Sequence, residues 1–186
     1  MHNNIFIAGS GIWYPEARVS NEELVNSYNQ YVENFNNNNR ESIEDGSVEA
    51  MEFSSAEFIE KASNIKSRYF IDKEGSLDIN RMKPRVNNEH PDRLSMHAKV
   101  GIKAAKKAMK QANVSPSQID AVIVGTSHAP RNYPALAIEI QNEMGIKGYA
   151  YDMLVGCSST TFAINNAYRD IASGLAETIL VINPEI

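Results

Sequence analysis

Cys157 is the only cysteine among 186 residues, and it follows a strand-like run, Tyr149-Ala150-Tyr151-Asp152-Met153-Leu154-Val155, across Gly156. After it, Ser158-Ser159-Thr160-Thr161-Phe162-Ala163-Ile164 mixes small and apolar residues at roughly helical spacing. Gly156 allows a tight turn between the two elements. A thiol at such a junction faces the free N–H groups of the first helical turn. Those groups carry about half a positive charge and favour thiolate over thiol. A thiolate is a nucleophile, so the position points to covalent catalysis. The competing reading is packing, since a lone cysteine is commonly a small buried hydrophobe. An accessible sulfur supports the first reading, and one sealed among aliphatic groups supports the second.

The second half of the chain supplies elements able to hold this junction. Ser95 to Ala112 reads as an amphipathic helix, with Ala98, Ile102, Ala105, Met109 and Ala112 on one face. Lys99, Lys103, Lys106, Lys107 and Lys110 fall mostly on the other and read as a solvated face. Ser115-Pro116-Ser117-Gln118 makes a turn, and Ile119 to Thr126 is an apolar strand of the buried, parallel kind. Pro134 to Met144 is predicted as a helix, with Pro134 in its first turn and Gly145 past its end. Tyr149 to Val155 is the next strand, Cys157 to Ser173 the next helix, and Thr178 to Ile182 another strand. This alternation predicts an α/β fold with a mainly parallel sheet.

The first half is less regular. Ile5 to Ile12 reads as a buried strand, and Ser20 with Glu23 has the spacing of a capping box, stapled by Val19 and Leu24. Asn26 to Glu57, with its run Asn36-Asn37-Asn38-Asn39, reads as an excursion, helical in part at most, that cannot bury much. Ala56 to Arg68 is read as helix and then turn, and Asp72 to Arg93 as a second long loop.

Composition narrows the function classes. The chain is 42% hydrophobic and 22% charged, an ordinary globular balance. A single cysteine rules out an internal disulfide and a multi-thiolate metal site and fits a reducing, cytoplasmic setting. A net charge of −5 argues against non-specific nucleic-acid binding. No signal peptide or bilayer-spanning apolar run is read. The closing Asn183-Pro184-Glu185-Ile186 follows a strand without a covering helix, which gives the expectation of a longer protein.

Several segments, in order, resemble the β-ketoacyl-acyl-carrier-protein synthase III family of the thiolase superfamily. They are Gly9-Ser10-Gly11-Ile12-Trp13-Tyr14-Pro15-Glu16, Val19 to Leu24, Ile65-Lys66-Ser67-Arg68-Tyr69, Gly125-Thr126-Ser127, Asn132 to Gln141, Met144 to Gly148, and Asp152 through Gly156-Cys157-Ser158-Ser159. The resemblance implies a thiolase-like fold of two similar βαβαβαβ halves in five layers. Residues 1–186 would be the N-terminal half, with insertions at roughly 26–57 and 72–93. It also implies a decarboxylative Claisen condensation: a cysteine takes an acyl group from acyl-coenzyme A, and malonyl-acyl-carrier protein then supplies the carbanion. The coenzyme A thioester is a substrate, so no cofactor or metal is implied. The partners implied are acyl-CoA, acyl-carrier protein and a second copy in a homodimer.

Residue by residue, Cys157 falls on the family's nucleophile. Tyr133 falls where the family places an aromatic that reaches the partner subunit's acyl pocket, the alternative being a turn aromatic packed locally before Pro134. Phe58 falls where many members stack a tryptophan on the adenine of coenzyme A, the alternative being the core face of a short helix. Arg68 matches an arginine near the same entrance, with a surface salt bridge as the alternative. Ala62 stands where many members have an arginine near the coenzyme phosphates, so that contact is lost. The family's catalytic histidine and asparagine lie in its second half. His2, His90, His97 and His128 do not match the histidine's motif; His128 reads as a loop residue and His97 as a packing or capping one. This chain alone is therefore expected not to complete condensation. Two other readings stay open: a different condensing enzyme of the superfamily, such as a hydroxymethylglutaryl-CoA synthase or type III polyketide synthase, and a non-catalytic scaffold half.

Overall fold

The computed structural model describes residues 4–85 and 93–186. His2, His90 and part of the second long loop lie outside them. The chain forms two compact units, Tyr14–Asn88 and Met1–Trp13 with Glu89–Ile186.

In the first of these, β1 (Ala17–Ser20) leads directly into α1 (Asn21–Asn38). The capping box is present: Ser20 Oγ accepts the Glu23 N–H at 3.1 Å, and Glu23 accepts the Ser20 N–H at 2.9 Å. Val19 is fully buried. α2 (Arg40–Glu44) and α3 (Ala56–Ser63) follow, and β2 (Ser67–Phe70) pairs antiparallel with β1, Ala17 opposite Phe70 and Ser20 opposite Ser67. α4 (Lys73–Leu77) starts at Asp72, whose carboxylate accepts the Gly75 N–H. The Arg85 guanidinium beside Asp72 holds that carboxyl well below the usual range.

One reading is corrected here and another is sharpened. Asn26 to Asn38 is helix throughout rather than in part, and it buries Ser27 and Val32, more than the excursion is expected to bury. Its asparagines are structural: Asn29 and Asn36 each exchange two hydrogen bonds with the backbone of the segment before α3, at Ser54 and Met51. The helix read over Ala56 to Arg68 ends at Ser63, and Asn64, in the left-handed conformation, turns the chain into β2.

The other unit is a three-layer α/β sandwich. α5 (Met96–Ala112) is capped by Ser95 and leads through a single 3₁₀ turn, Pro116–Gln118, to β3 (Ala121–Gly125). α6 (Leu136–Met144), β4 (Tyr149–Met153), a 3₁₀ turn at Gly156–Ser158, α7 (Ser159–Ser173) and β5 (Ile179–Ile182) complete it. The sheet order is β4-β3-β5, all parallel. Every residue of the central strand β3 is buried, as its unbroken apolar run predicts.

Alternation along the strands divides the core in two. Val122, Val124, Leu180 and Ile182 face α5 and α6, meeting Ala98, Ile102, Leu136 and Ile140. Ile123, Ile179 and Val181 face α7 at Ala163 and Ala167. Full burial of a side chain such as Ile123 contributes about 1.5–3 kcal/mol.

The strand read at Ile5 to Ile12 is absent. Residues 4–13 pair with no strand, and Phe6 and Ile7 are about four-fifths exposed. The segment instead lies along α5, where a Cβ at Gly9 or Gly11 would collide with the carbonyls of Ala108 and Ala104. Lys107 donates to the Ile12 carbonyl at 2.8 Å, and the Lys103 ammonium sits 4.3 Å from the centre of the Trp13 ring. Two lysines of the solvated face therefore hold this segment. α6 begins two residues later than predicted, leaving Pro134 ahead of its cap, Ala135.

Candidate active site

The site is built where β3 and β4 end. After Met153 the chain turns through Gly156, which takes the left-handed conformation (φ 58°). The Ser158 N–H closes on the Val155 carbonyl at 3.3 Å, and the Ser159 N–H closes on that of Gly156. The N–H groups of Gly156 and Cys157 precede the first bond of this ladder, as the leading amides of a helical turn must. Cys157 lies among these amides, just ahead of the fifteen-residue helix α7, and it is exposed. Among the described residues Cys157 is not sealed among aliphatic groups.

Ser159 anchors the turn. It is 2% exposed, and its hydroxyl accepts the Val155 N–H at 2.8 Å. The same hydroxyl lies 2.9 Å from the Thr126 carbonyl and 2.8 Å from that of Gly156, so one proton serves both. The end of β3 approaches closely because residue 125 is glycine. A Cβ there would stand 2.7 Å from the Ser159 carbonyl and 2.8 Å from Asn183 Oδ1.

Beyond β3, Thr126 Oγ1 donates to the Pro184 carbonyl at 2.9 Å. Ser127 gives both its N–H (2.6 Å) and its hydroxyl (2.5 Å) to the Glu185 carboxylate. Burial opposes ionisation of Glu185. The bonds from Ser127 and Thr126 nevertheless hold its carboxyl below the usual range. His97, buried in the first turn of α5, meets the His128 ring edge-on, with centroids 5.0 Å apart.

Asp152 ties β4 to α6. Its two carboxylate oxygens accept the N–H groups of Leu136 and Ala137 at 2.6 and 2.7 Å, which supplies the cap that Ala135 lacks. Glu139 ties α6 to the cap of α5, accepting from the backbone and hydroxyl of Ser95 while Arg131 contacts it at 3.3 Å. Between these ties lies an open cleft of about 340 Å³, lined by Arg131, Asn132, Ala135, Tyr151, Asp152 and Leu154. Tyr133 sits between two of its lining residues and is 87% exposed, so it is not packed locally before Pro134.

The other two site residues belong to the Tyr14–Asn88 unit. Phe58 is at the third position of α3 and is 66% exposed, so it is not on a core face. Arg68, half-buried on β2, donates to Asn21 Oδ1 at 2.9 Å and makes no surface salt bridge among the described residues. Asn21, 3% exposed, gives its amide to the Ile65 carbonyl at 2.7 Å. Ser159, Thr126 and Glu185 were not singled out from sequence. They meet across 33 and 59 residues, and no local spacing marks them. Among the described residues no three His, Cys, Asp or Glu side chains converge on a metal-holding arrangement, and no helix is long and apolar enough to cross a membrane.

Residues 88–185 match the family model described as "Thiolase, N-terminal domain". A β-ketodecanoyl-[acyl-carrier-protein] synthase of Pseudomonas aeruginosa is 46% identical over 160 residues, covering 86% of this chain and 46% of that protein. A β-ketoacyl-[acyl-carrier-protein] synthase III of Brucella anthropi is 42% identical over 87 residues, 46% of this chain and 27% of that protein. The chain thus spans less than half the length of the curated relatives it matches. The solved 3-oxoacyl-[acyl-carrier-protein] synthase III of Aquifex aeolicus superposes with a TM-score of 0.67 at 24% identity, over 95% of this chain and 43% of that one. At that identity the likeness establishes a thiolase-like fold. With its parallel sheet, its strand–turn–helix at Cys157 and a family match over more than half its length, this chain belongs to the thiolase family and carries that family's N-terminal domain.

Proposed function

We propose that Cys157 is the acyl-accepting nucleophile of a β-ketoacyl-acyl-carrier-protein synthase III-like condensing enzyme of fatty acid biosynthesis. The observation that carries this reading is the exposure of the one cysteine at the turn between β4 and α7, among the leading amides of that turn. The Cys157 thiolate attacks the carbonyl of acyl-coenzyme A. A new S–acyl bond forms, the bond to the coenzyme's sulfur breaks, and coenzyme A leaves as its thiolate and takes up a proton. Backbone N–H groups of the turn are suited to receive the oxyanion of the tetrahedral intermediate. In the second step malonyl-acyl-carrier protein loses carbon dioxide. Its carbanion attacks the acyl-cysteine carbonyl, a carbon–carbon bond forms, and the Cys157 thiolate is released. The groups that activate that step, a histidine and an asparagine in the resembling family, are assigned to the remainder of the protein.

Tyr133 is assigned to the acyl pocket, and Phe58 and Arg68 to coenzyme A. Their exposure or partial burial leaves Phe58 and Tyr133 free to meet a ligand or a second subunit in a cytoplasmic homodimer. The names of the two curated relatives, both acyl-carrier-protein synthases, favour carrier-protein chemistry over the hydroxymethylglutaryl-CoA synthase and type III polyketide synthase readings.

The test is intact-mass and peptide-mapping spectrometry of the chain after incubation with acyl-CoA. The expected result is one acyl increment on Cys157, absent in Cys157→Ala, and no β-ketoacyl product from residues 1–186 alone. An unmodified Cys157 whose thiol still reacts with a small disulfide reagent would overturn the nucleophile assignment and leave the scaffold reading.

A further inference from the structure

The Thr126–Ser127 peptide is gripped from two sides. On one side the Ser159 hydroxyl reaches the Thr126 carbonyl at 2.9 Å, and that hydroxyl also holds the Val155 N–H of the cysteine turn at 2.8 Å. On the other side Thr126 Oγ1 donates to the Pro184 carbonyl, and Glu185 takes both the N–H and the hydroxyl of Ser127. Gly125 is squeezed between the same two segments, Ser159 and Asn183. The cysteine turn is thus one end of a hydrogen-bonded line whose other end is Glu185.

We infer that Glu185 is a positioning residue for Cys157, acting through Ser127, Thr126 and Ser159, an inference that rests on the proposed role of Cys157 as acyl acceptor. The segment after β5 has no ladder of its own among the described residues, so side-chain bonds fix it. Glu185 is the only side chain there that offers two acceptors to one residue of the β3 loop. Without it, Ser127 loses the acceptor of both its N–H and its hydroxyl, and the bond from Thr126 Oγ1 to the Pro184 carbonyl is left to tie the β3 loop to the segment after β5. The turn that carries Cys157 keeps its bonds with Thr126 at Ser159 and Met153, but the loop it is registered against is held less firmly. Acyl transfer depends on such register, because the sulfur and the amides of the turn must meet one carbonyl at once. Alkylation by a small reagent does not, since it needs only an accessible thiolate.

The test compares the wild-type chain with Glu185→Ala and Glu185→Gln. Three quantities are read: hydrogen exchange of the Ser127 and Val155 amides, the rate of Cys157 acylation by acyl-CoA, and the rate of its alkylation by iodoacetamide. In Glu185→Ala, exchange at both amides rises about tenfold while β3 keeps its protection. Acylation falls by a similar factor, and alkylation stays within about twofold of wild type. Glu185→Gln, which keeps one carbonyl oxygen for the Ser127 N–H, lies between. Unchanged exchange at Val155 in Glu185→Ala overturns the proposal, and so does an equal fall in acylation and alkylation together with loss of β3 protection. Failure of the wild type to be acylated would instead overturn the role of Cys157, leaving the exchange data to decide the clasp.

Discussion

Ser159 and Thr126 meet through a single buried hydroxyl: Ser159 Oγ lies 2.9 Å from the Thr126 carbonyl and accepts the Val155 N–H at 2.8 Å. One side chain therefore joins the end of β3 to both sides of the cysteine turn. Ser159→Ala removes the acceptor for Val155 and the donor for Thr126 without adding bulk. A lost bond of this kind costs about 1–2 kcal/mol. Urea unfolding should show that loss. Cys157 acylation should slow more than the stability change alone accounts for.

Gly125 and Gly156 are both glycines for different reasons, and alanine at each separates them. At Gly125 the backbone is ordinary strand, but a Cβ would stand 2.7 Å from the Ser159 carbonyl. Ser159 is held by its own hydrogen bonds in the turn, so Gly125→Ala should cost about 2–3 kcal/mol through forced displacement. At Gly156 nothing lies within 4 Å of a Cβ, and only the φ of 58° resists substitution. Gly156→Ala should cost about 1 kcal/mol. Thermal unfolding of the two variants distinguishes lack of room from backbone strain.

These contrasts show what was legible in the residues. The α5 face, the apolar β3 run and the Ser20–Glu23 box carry local patterns that specify their own structure, and the β4–Gly156–Cys157 junction could be read the same way. The Ile5–Ile12 run was misleading because β pattern describes a strand's faces but not its neighbour. Among the described residues its neighbour is a helix, reached through Gly9 and Gly11. Composition also misled at α1, where asparagine counts as loop-forming until its amide finds a backbone to pair with. Asp152, Glu139 and Glu185 act as caps and clasps across 16, 44 and 58 residues, and only tertiary structure creates those meetings.

The asparagine clamp of α1 gives a third prediction. Asn29 and Asn36 are seven residues apart, about two helical turns or 10.5 Å. Their partners Ser54 and Met51 are three residues apart, about 10 Å in extended chain. The match lets each side-chain amide pair with the N–H and C=O of one residue, donating at 3.0 and 2.9 Å and accepting at 2.9 Å in both cases. Asn36→Asp keeps the acceptor but sets a carboxylate against the Met51 carbonyl. It should destabilise at least as much as Asn36→Ala, by about 1 kcal/mol or more. Limited proteolysis within residues 46–54 should accelerate in both variants, and further when Asn29→Ala is added.

Asp120 provides a prediction with a pH axis. It precedes β3, and its Oδ2 accepts the N–H groups of Glu177 and Thr178 at 2.8 and 2.9 Å at the entry to β5. Those N–H groups, that of Thr178 first, hold its carboxyl below the ordinary range. A carboxylate with a depressed folded-state pKa stabilises the fold above its unfolded value of about 3.9. That contribution is lost as pH falls through the lower folded value. Asp120→Asn retains an oxygen acceptor but not the charge, so it should lower the melting temperature at pH 7. The gap between variant and wild type should narrow below about pH 4 and close once the wild-type carboxyl is protonated. A gap that widened on acidification would mean that the amides of Glu177 and Thr178 do not stabilise the ionised form, and the link between the β3 and β5 entries would then have to reside in the Asp120 N–H bond to the Thr178 carbonyl alone.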